Sequence, residues 1–169
     1  MRGQGRSSFP SAKGLRAAGV GLALAACANG ILTHLESQIL RCANAPRREL
    51  AVIVFSVDHL EQITFRYGRH VGDAVLERVA AVARQQSRSI DVLGRMGADM
   101  FLWLLPGAND HVASSIAERL RRITERDLRS GDPPLVAISV GYALWKHGDD
   151  LESLLSRVEG AMHEAKVQG

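Results

Sequence analysis

The chain has little cysteine, and the two residues present belong to no recognisable motif. Cys27 and Cys42 are the only cysteines among 169 residues. Their spacing is not that of paired zinc ligands, which excludes a cysteine-rich zinc centre. A single pair also cannot build a disulfide framework, so we expect free thiols in a reducing compartment.

Aromatic residues are scarce as well, at 5% of the chain. No basic stripe with interleaved aromatic residues occurs, so the surface expected of a nucleic-acid-binding protein is absent from the sequence. The net charge of +3 is spread unevenly. Residues 1–49 hold seven Arg/Lys and two Glu, whereas residues 50–169 hold fourteen basic and sixteen acidic residues. The positive charge therefore belongs to the N-terminal segment.

A long apolar run is also missing. The run from Ala17 to Cys27 is too short to span a bilayer. It follows several basic residues and ends in Leu24-Ala25-Ala26-Cys27, which resembles a lipoprotein cleavage box and leaves lipoprotein-like export through Cys27 open. We favour a different interpretation, in which residues 1–16 are disordered and residues 17–46 form an N-terminal helix leading into the domain.

The composition that is present is that of one soluble globular domain, with 46% apolar and 23% charged residues. Apolar runs with a strand-like pattern alternate with segments of helical periodicity, which predicts an α/β fold. The predicted strands cover residues 50–57, 90–93, 100–105 and 135–144. The predicted helices cover residues 59–67, 72–86, 111–128 and 149–167.

The stretch from Arg88 to Leu105 is predicted to form a hairpin. Two apolar runs flank Gly94-Arg95-Met96-Gly97-Ala98-Asp99, and glycine beside aspartate is typical of a tight turn. A hairpin makes its two strands antiparallel, so we expect a central mixed, largely antiparallel sheet flanked by helices.

Four segments resemble the GGDEF domain of diguanylate cyclases, in order and in spacing. FSVDHLEQITFRYGRHVGD resembles DxDxFKxxNDxxGHxxGD, and RMGADMF stands where the family has RYGG[DE]EF. AISVGYA and VEGAMHEAKVQG resemble the (V/I)S(I/V)G(V/I)A strand and the ADxAMYxAKxxG helix. The resemblance implies a fold related to nucleotide cyclases and polymerase palms over residues 47–169. It also implies a reaction that joins two GTP into cyclic di-GMP on Mg²⁺.

The departures from the family pattern remove the implied metal ligands. The family's metal-binding Asp and Glu are Ser56 and Met100 here, and a hydroxyl and a thioether are poor ligands for magnesium. Asp58 and Asp99 remain nearby, but we expect strand alternation to point Asp58 to the opposite face from Ser56. The degenerate signature is Gly97, Ala98, Asp99, Met100 and Phe101.

The implied nucleotide contacts are also eroded. Thr64 and Phe65 replace the guanine-binding Asn and its neighbouring Asp, and Glu61 replaces a phosphate-contacting Lys. The Cβ of Ala98 is expected to strain the turn and narrow the approach to the phosphates. Two residues of a possible residual GTP site match the family, Asp73 and Lys166.

One family feature is complete. Arg88 and Asp91 match the RxxD inhibitory site of the family, which binds cyclic di-GMP, and Arg119 matches a supporting arginine. Arginine can bond phosphate or the acceptor edge of guanine, and aspartate can accept from guanine N–H groups. An ordinary surface ion pair is the alternative explanation.

The sequence therefore supports three hypotheses. The first is a catalytically inactive GGDEF-like receptor for cyclic di-GMP in the cytoplasm, which needs no cofactor and pairs with itself or with another signalling protein. The second is a residual diguanylate cyclase, which would need Mg²⁺. The third is an interaction scaffold that binds no nucleotide.

Overall fold

The structure is a computed structural model that describes residues 22–45, 47–129 and 136–168. The strands are β1 (Leu50–Val57), β2 (Val92–Arg95), β3 (Met100–Pro106) and β4 (Ile138–Leu144). The helices are α1 (Leu22–Ala43), α2 (Leu60–Tyr67), α3 (Arg69–Gln86), α4 (Asp110–Leu128) and α5 (Leu151–Gln168).

The four strands form one sheet in the order β2-β3-β1-β4. Each pair of neighbouring strands is antiparallel. β1 is central, and every one of its residues is buried, as expected for a continuous run of β-branched and apolar residues. The α/β fold with a largely antiparallel sheet is thus confirmed.

Both faces of the sheet are covered, so the domain has two apolar layers. Phe55 and Trp103 point to one face, where they pack with residues of α3 and α4. Val54 and Leu102 point to the other face, where they pack with α1 and α5. This alternation along β1 and β3 decides which helix each side chain at the strand ends can reach.

Two glycines permit close contact between these helices and the sheet. A Cβ on Gly141 of β4 would lie 2.3 Å from the backbone nitrogen of Met162 in α5. A Cβ on Gly94 of β2 would lie 2.8 Å from the side chain of Ile31 in α1. Both helices therefore lie closer to the sheet than any side chain at these positions would allow.

The observed boundaries differ from the predicted ones at several places, and three of these concern the segments around the candidate sites. α3 begins at Arg69 and not at Gly72, so Gly72 and Asp73 lie inside the helix. β2 covers residues 92–95 and not 90–93, because Arg88 to Asp91 form a turn closed by a hydrogen bond from the Asp91 N–H to the Arg88 carbonyl. β4 is observed from Ile138, because residues 136 and 137 are not in a strand.

Several predictions fall outside the described residues. These are the state of residues 1–16, the start of the N-terminal helix at residues 17–21, and residues 130–135. Leu24 to Cys27 lie in the backbone of α1, but the side chain of Cys27 is outside the description. Across the described ranges, no helix is both long enough and apolar enough to cross a membrane.

Candidate nucleotide-binding sites

The two positions of the implied metal ligands meet directly in the structure. Ser56 at the end of β1 pairs with Met100 at the start of β3. Ser56 is fully buried, and its hydroxyl has no hydrogen-bond partner among the described residues. Met100 is 8% exposed and belongs to the apolar layer beneath α1 and α5. The place where the family carries two carboxylates is therefore a buried, largely apolar contact.

This pair does not fit a magnesium ion. Mg²⁺ requires hard oxygen ligands in near-octahedral geometry, and carboxylates are the protein groups that supply them. A neutral hydroxyl and a thioether offer neither the charge nor the hardness. Among the described residues, no three His, Cys, Asp or Glu side chains are grouped closely enough to hold a metal ion.

Asp58 lies nearer to this pair than the sequence suggested. The Ser139 hydroxyl donates to the Asp58 carboxylate at 2.8 Å, and Ser139 pairs directly with Ser56 across β1 and β4. Paired residues point to the same face, so Asp58, Ser139 and Ser56 share one face of the sheet. The expected placement of Asp58 on the opposite face is wrong, since residues two apart along a strand lie on the same side.

Among the described residues, Asp99 forms a hydrogen bond through its backbone but none through its side chain. Its carbonyl accepts from the Val57 N–H at 3.1 Å, which ties the hairpin to the end of β1. In the described part of the chain, no hydrogen bond or ion pair involves its carboxylate. The structure thus brings the backbones of Asp99 and Val57 together at one end of the sheet without joining the two carboxylates of Asp58 and Asp99.

The hairpin tip is closed by an arginine. Arg95 donates through Nε to the Gly97 carbonyl at 3.0 Å and through Nη2 to the Ala98 carbonyl. Neither Gly97 nor Ala98 has a positive φ, and Ala98 is exposed. The expectation that the Cβ of Ala98 strains the turn is therefore wrong, because alanine adopts this backbone freely.

At the positions of the implied guanine contacts, Thr64 packs against Gly72 and Phe65 is an exposed apolar side chain. A Cβ on Gly72 would lie 2.5 Å from Oγ1 of Thr64, so these residues mark the close contact between α2 and α3. Phe65 is 94% exposed. Asp73 is exposed at the edge of a groove of about 670 Å³ between α1, α3 and β2. Thus Asp73 remains accessible, whereas Thr64 and Phe65 stand at the positions of the family's Asn and Asp.

Lys166 is exposed in the last turn of α5. Its side chain forms no hydrogen bond or ion pair with any described residue, and the same is true of Asp73. The structure therefore does not bring these two predicted residues of a residual GTP site into contact with each other.

The Arg88 and Asp91 side chains, in contrast, are assembled. Nη2 of Arg88 lies 2.9 Å from Oδ1 of Asp91, and the Arg88 backbone N–H donates to Oδ2 at 2.7 Å. Nη2 also donates to the carbonyl of Pro106 at 3.1 Å. The Asp91 side chain is fully covered, whereas the Arg88 side chain is 46% exposed. The carboxylate thus fixes the arginine beside the end of β3.

Arg119 of α4 reaches the same end of α3. Its Nε donates to the side-chain oxygen of Gln86 at 2.7 Å, two residues before Arg88 in the chain. Arg119 forms no ion pair with Asp91 in the structure. The link between the predicted residues is indirect: Arg119 bonds Gln86 at the end of α3, and Arg88 bonds the Pro106 carbonyl at the end of β3.

Sequence reasoning missed four residues at these sites: Gln86, Arg95, Pro106 and Ser139. Arg95 and Ser139 lie within segments that resemble family motifs, so a signal existed for them. Gln86 and Pro106 had none, because their contacts depend on tertiary packing and, for Pro106, on a backbone carbonyl that any residue would supply.

The fold and the hairpin define a class of protein. A four-stranded antiparallel sheet with helices on both faces, and a glycine hairpin beside the end of the central strand, is the architecture of nucleotide-cyclase-like domains. A family model described as "Diguanylate cyclase, GGDEF domain" matches residues 28–169. The chain belongs to the GGDEF family.

Two curated relatives are cyclases by name. The chain is 36% identical to diguanylate cyclase TpbB of Pseudomonas aeruginosa over 136 residues, which cover 78% of this chain and 31% of TpbB. It is 25% identical to diguanylate cyclase A of Treponema denticola over 142 residues, covering 82% of this chain and 38% of that protein. The chain therefore spans about a third of the length of these relatives.

A solved structure matches the fold closely. The GGDEF domain of DgcB from Caulobacter crescentus, crystallised in complex with cyclic di-GMP, superimposes with a TM-score of 0.79 over 84% of this chain and 85% of that chain. At 19% sequence identity, this likeness establishes the shared fold.

Proposed function

We propose that this chain is a catalytically inactive GGDEF domain that binds cyclic di-GMP at Arg88, Asp91 and Arg119 and acts as a receptor or regulator in signalling. The observation that carries the proposal is the contrast between two sites. The Arg88–Asp91 pair is assembled and half accessible, whereas Ser56 and Met100 face each other where metal ligands are needed.

The loss of activity follows from the charge that phosphoryl transfer develops. The reaction depends on positioning and on stabilising negative charge on the phosphates, which a metal ion and cations supply. Ser56 and Met100 supply no carboxylate for a metal, and Glu61 places a negative charge where the family has a lysine. No single side chain can restore both carboxylates, so the proposed receptor needs no magnesium.

The retained site suits a guanine base. Guanine presents two acceptors, O6 and N7, to an arginine, and its N–H groups can donate to a carboxylate. Nη1 of Arg88 has no hydrogen bond to the described residues and is free to donate. Asp91 is occupied by Arg88, so the ligand must replace part of an ion pair that is exposed on one side. The bonds that a bound dinucleotide makes to Arg88 and Asp91 would offset this loss.

Calorimetric titration of the purified chain with cyclic di-GMP tests this site. We expect saturable binding that weakens at least tenfold in Arg88→Ala. Arg41→Ala, a loss of one exposed arginine on α1, should bind like the unaltered chain. Equal binding by both variants, or no heat at tens of micromolar ligand, contradicts the proposal.

A residual cyclase is the second candidate, because Asp58 shares a face with Ser56 and Asp73 remains accessible. Incubation with GTP and Mg²⁺ or Mn²⁺, followed by chromatography, separates the two candidates. The receptor predicts no cyclic di-GMP above a protein-free control. A product peak that disappears in Asp58→Ala would establish the cyclase.

The proposal also implies a location. Cyclic di-GMP and GTP are cytoplasmic nucleotides, so a receptor for them works in the cytoplasm. Export through Cys27 would separate the chain from its ligand, and we therefore do not favour it.

A further inference from the structure

The outer face of α4 carries a line of arginines, formed by Arg119, Arg122, Arg126 and Arg129. Their spacing of three, four and three residues keeps them on one side of the helix, over about 15 Å. All four are exposed, and three buried residues, Ala113, Leu120 and Leu128, mark the opposite side of the helix. We refer to these four residues as the arginine stripe.

Two glutamates of α4 form their ion pairs with an arginine outside the stripe. Arg121 stands outside the stripe and pairs with Glu118 at 3.0 Å and with Glu125 at 2.5 Å. The pKa of Glu118 is lowered, first by its hydrogen bond from Arg121, with smaller contributions from the charges of Arg121 and Arg122. Both glutamates therefore form ion pairs with Arg121, outside the stripe.

The arginine stripe is compensated only in part, since the charge of Arg122 attracts Glu118 without a direct ion pair. Arg126 has an exposed ion pair with Asp127, and Arg119 has an amide partner in Gln86. Arg122 and Arg129 form no ion pair within 4 Å with any described residue. Neighbours of like charge three and four residues apart destabilise a helix, so an arrangement of this kind opposes folding. The attraction of cations to a helix C-terminus accounts for Arg126 and Arg129 but not for arginines in the middle of α4.

A groove of about 720 Å³ follows the stripe and is lined by Ser115, Ile123 and the four arginines together with Glu118 and Glu125. Arginine presents a planar fork that bonds carboxylates in pairs. We propose that the stripe is the docking surface for an acidic helical segment of a partner protein, whose carboxylates repeat at three and four residues and lie along α4.

Two other polyanions fit the surface less well. A membrane needs apolar residues to insert beside the charges. Among the described residues, the exposed large apolar side chains are Leu40, Phe65, Ile90 and Val167, and none belongs to α4. A nucleic acid is attracted by an extended positive field, but residues 50–169 carry two more acidic than basic residues. Carboxylates repeated at helical spacing match the short line of four arginines better than a membrane surface or a nucleic acid does.

The test uses the full chain and a labelled synthetic helix with glutamates at positions i, i+3, i+7 and i+10, together with a peptide of the same composition in scrambled order. Fluorescence anisotropy should show binding of the patterned peptide at least tenfold tighter than binding of the scrambled one. Arg122→Gln with Arg126→Gln should remove that preference. Arg41→Gln with Arg66→Gln changes the net charge equally on other helices and should retain it.

Equal binding of the two peptides, or an equal loss in both double variants, overturns the proposal. So does tighter binding of a duplex oligonucleotide or of phosphatidylglycerol vesicles that depends on Arg122 and Arg126, because the ligand class would then be different. Arg119 is left unchanged in these variants, so failure of the stripe is distinguishable from failure of the cyclic di-GMP site. Circular dichroism of each variant establishes that it is folded.

Discussion

Two serines that face each other across β1 and β4 differ in one respect. Ser56 and Ser139 are both buried and are direct partners in the sheet. The Ser139 hydroxyl is bonded to Asp58, whereas the Ser56 hydroxyl has no partner in the described structure. Ser56 is thus fully buried at the position of the family's metal-binding Asp, and its hydroxyl is unpaired among the described residues although Ser139 and Asp58 lie on the same face. Packing around Ser56 and Met100 therefore supports the proposal of an inactive domain.

This contrast predicts opposite effects on stability. Ser56→Ala removes a hydroxyl that is buried without a hydrogen bond and should raise the free energy of unfolding by about 1 kcal/mol. Ser139→Ala leaves the Asp58 carboxylate without its donor and should lower the free energy of unfolding by about 1–2 kcal/mol. Urea denaturation of both variants measures the difference. A loss of stability in Ser56→Ala equal to that in Ser139→Ala would show that the Ser56 hydroxyl has a partner.

At the scale of elements, the position of α5 depends on a missing side chain in β4. Gly141→Ala would place a Cβ 2.3 Å from the backbone of Met162, which cannot turn away as a side chain can. We expect a loss of about 3 kcal/mol in the free energy of unfolding, at the upper end of overpacking costs. The change should appear as a lower melting temperature.

The matched control lies on α5 itself. A Cβ on Gly160 would meet no atom within 4 Å, and the residue lies inside a helix. Gly160→Ala should therefore stabilise the chain by up to about 1 kcal/mol through helix propensity. If both substitutions are tolerated equally, α5 does not lie against Gly141 as described.

The start of α5 supplies a pH-dependent contribution. The carboxylate of Asp150 accepts from the Ser153 N–H at 2.8 Å, and the Ser153 hydroxyl accepts from the Asp150 N–H at 3.0 Å. The bond from the Ser153 backbone N–H is the largest cause of the lowered pKa of Asp150, and the Ser153 side chain adds to it. Because the folded pKa lies below the unfolded one, the stabilisation is present above the unfolded pKa and is lost as the pH falls through the folded pKa. The difference in melting temperature between the unaltered chain and Asp150→Asn should therefore shrink in acid, and a difference independent of pH would contradict this role.

At the scale of the whole molecule, the sequence predicts the fold well because its signals are strong. LAVIVFSV is short, continuous and rich in β-branched residues, which favours a buried strand, and the helical periodicity of the other segments indicates helices that cover one sheet. Local packing was not predictable. The close contact of Gly72 with Thr64 depends on how α2 packs against α3. The start of α3 at Arg69 and the later start of β2 depend on backbone hydrogen bonds in the turns before them.

The candidate sites were likewise predictable in part from the sequence. Ser56 and Met100 could be identified as a pair from the family motifs, and the register of β1 and β3 places them opposite each other. An ion pair between Arg88 and Asp91 was one of the two explanations that the sequence offered, but the complete covering of the Asp91 side chain depends on the conformation of one turn and could not be predicted. At the proposed site, cyclic di-GMP must therefore open the Arg88–Asp91 salt bridge in order to bind.

The most direct test is the melting temperature of one sample in three states: alone, with cyclic di-GMP, and with GTP and Mg²⁺. A ligand at one hundred times its Kd stabilises the folded state by about 2.7 kcal/mol, which corresponds to about 5–11 °C for a chain of this size. We predict a rise of this order with cyclic di-GMP and no rise with GTP. A higher melting temperature with GTP but not with cyclic di-GMP would contradict the receptor hypothesis and favour a residual cyclase. An unchanged melting temperature with both ligands would also contradict it and favour an interaction scaffold that binds no nucleotide.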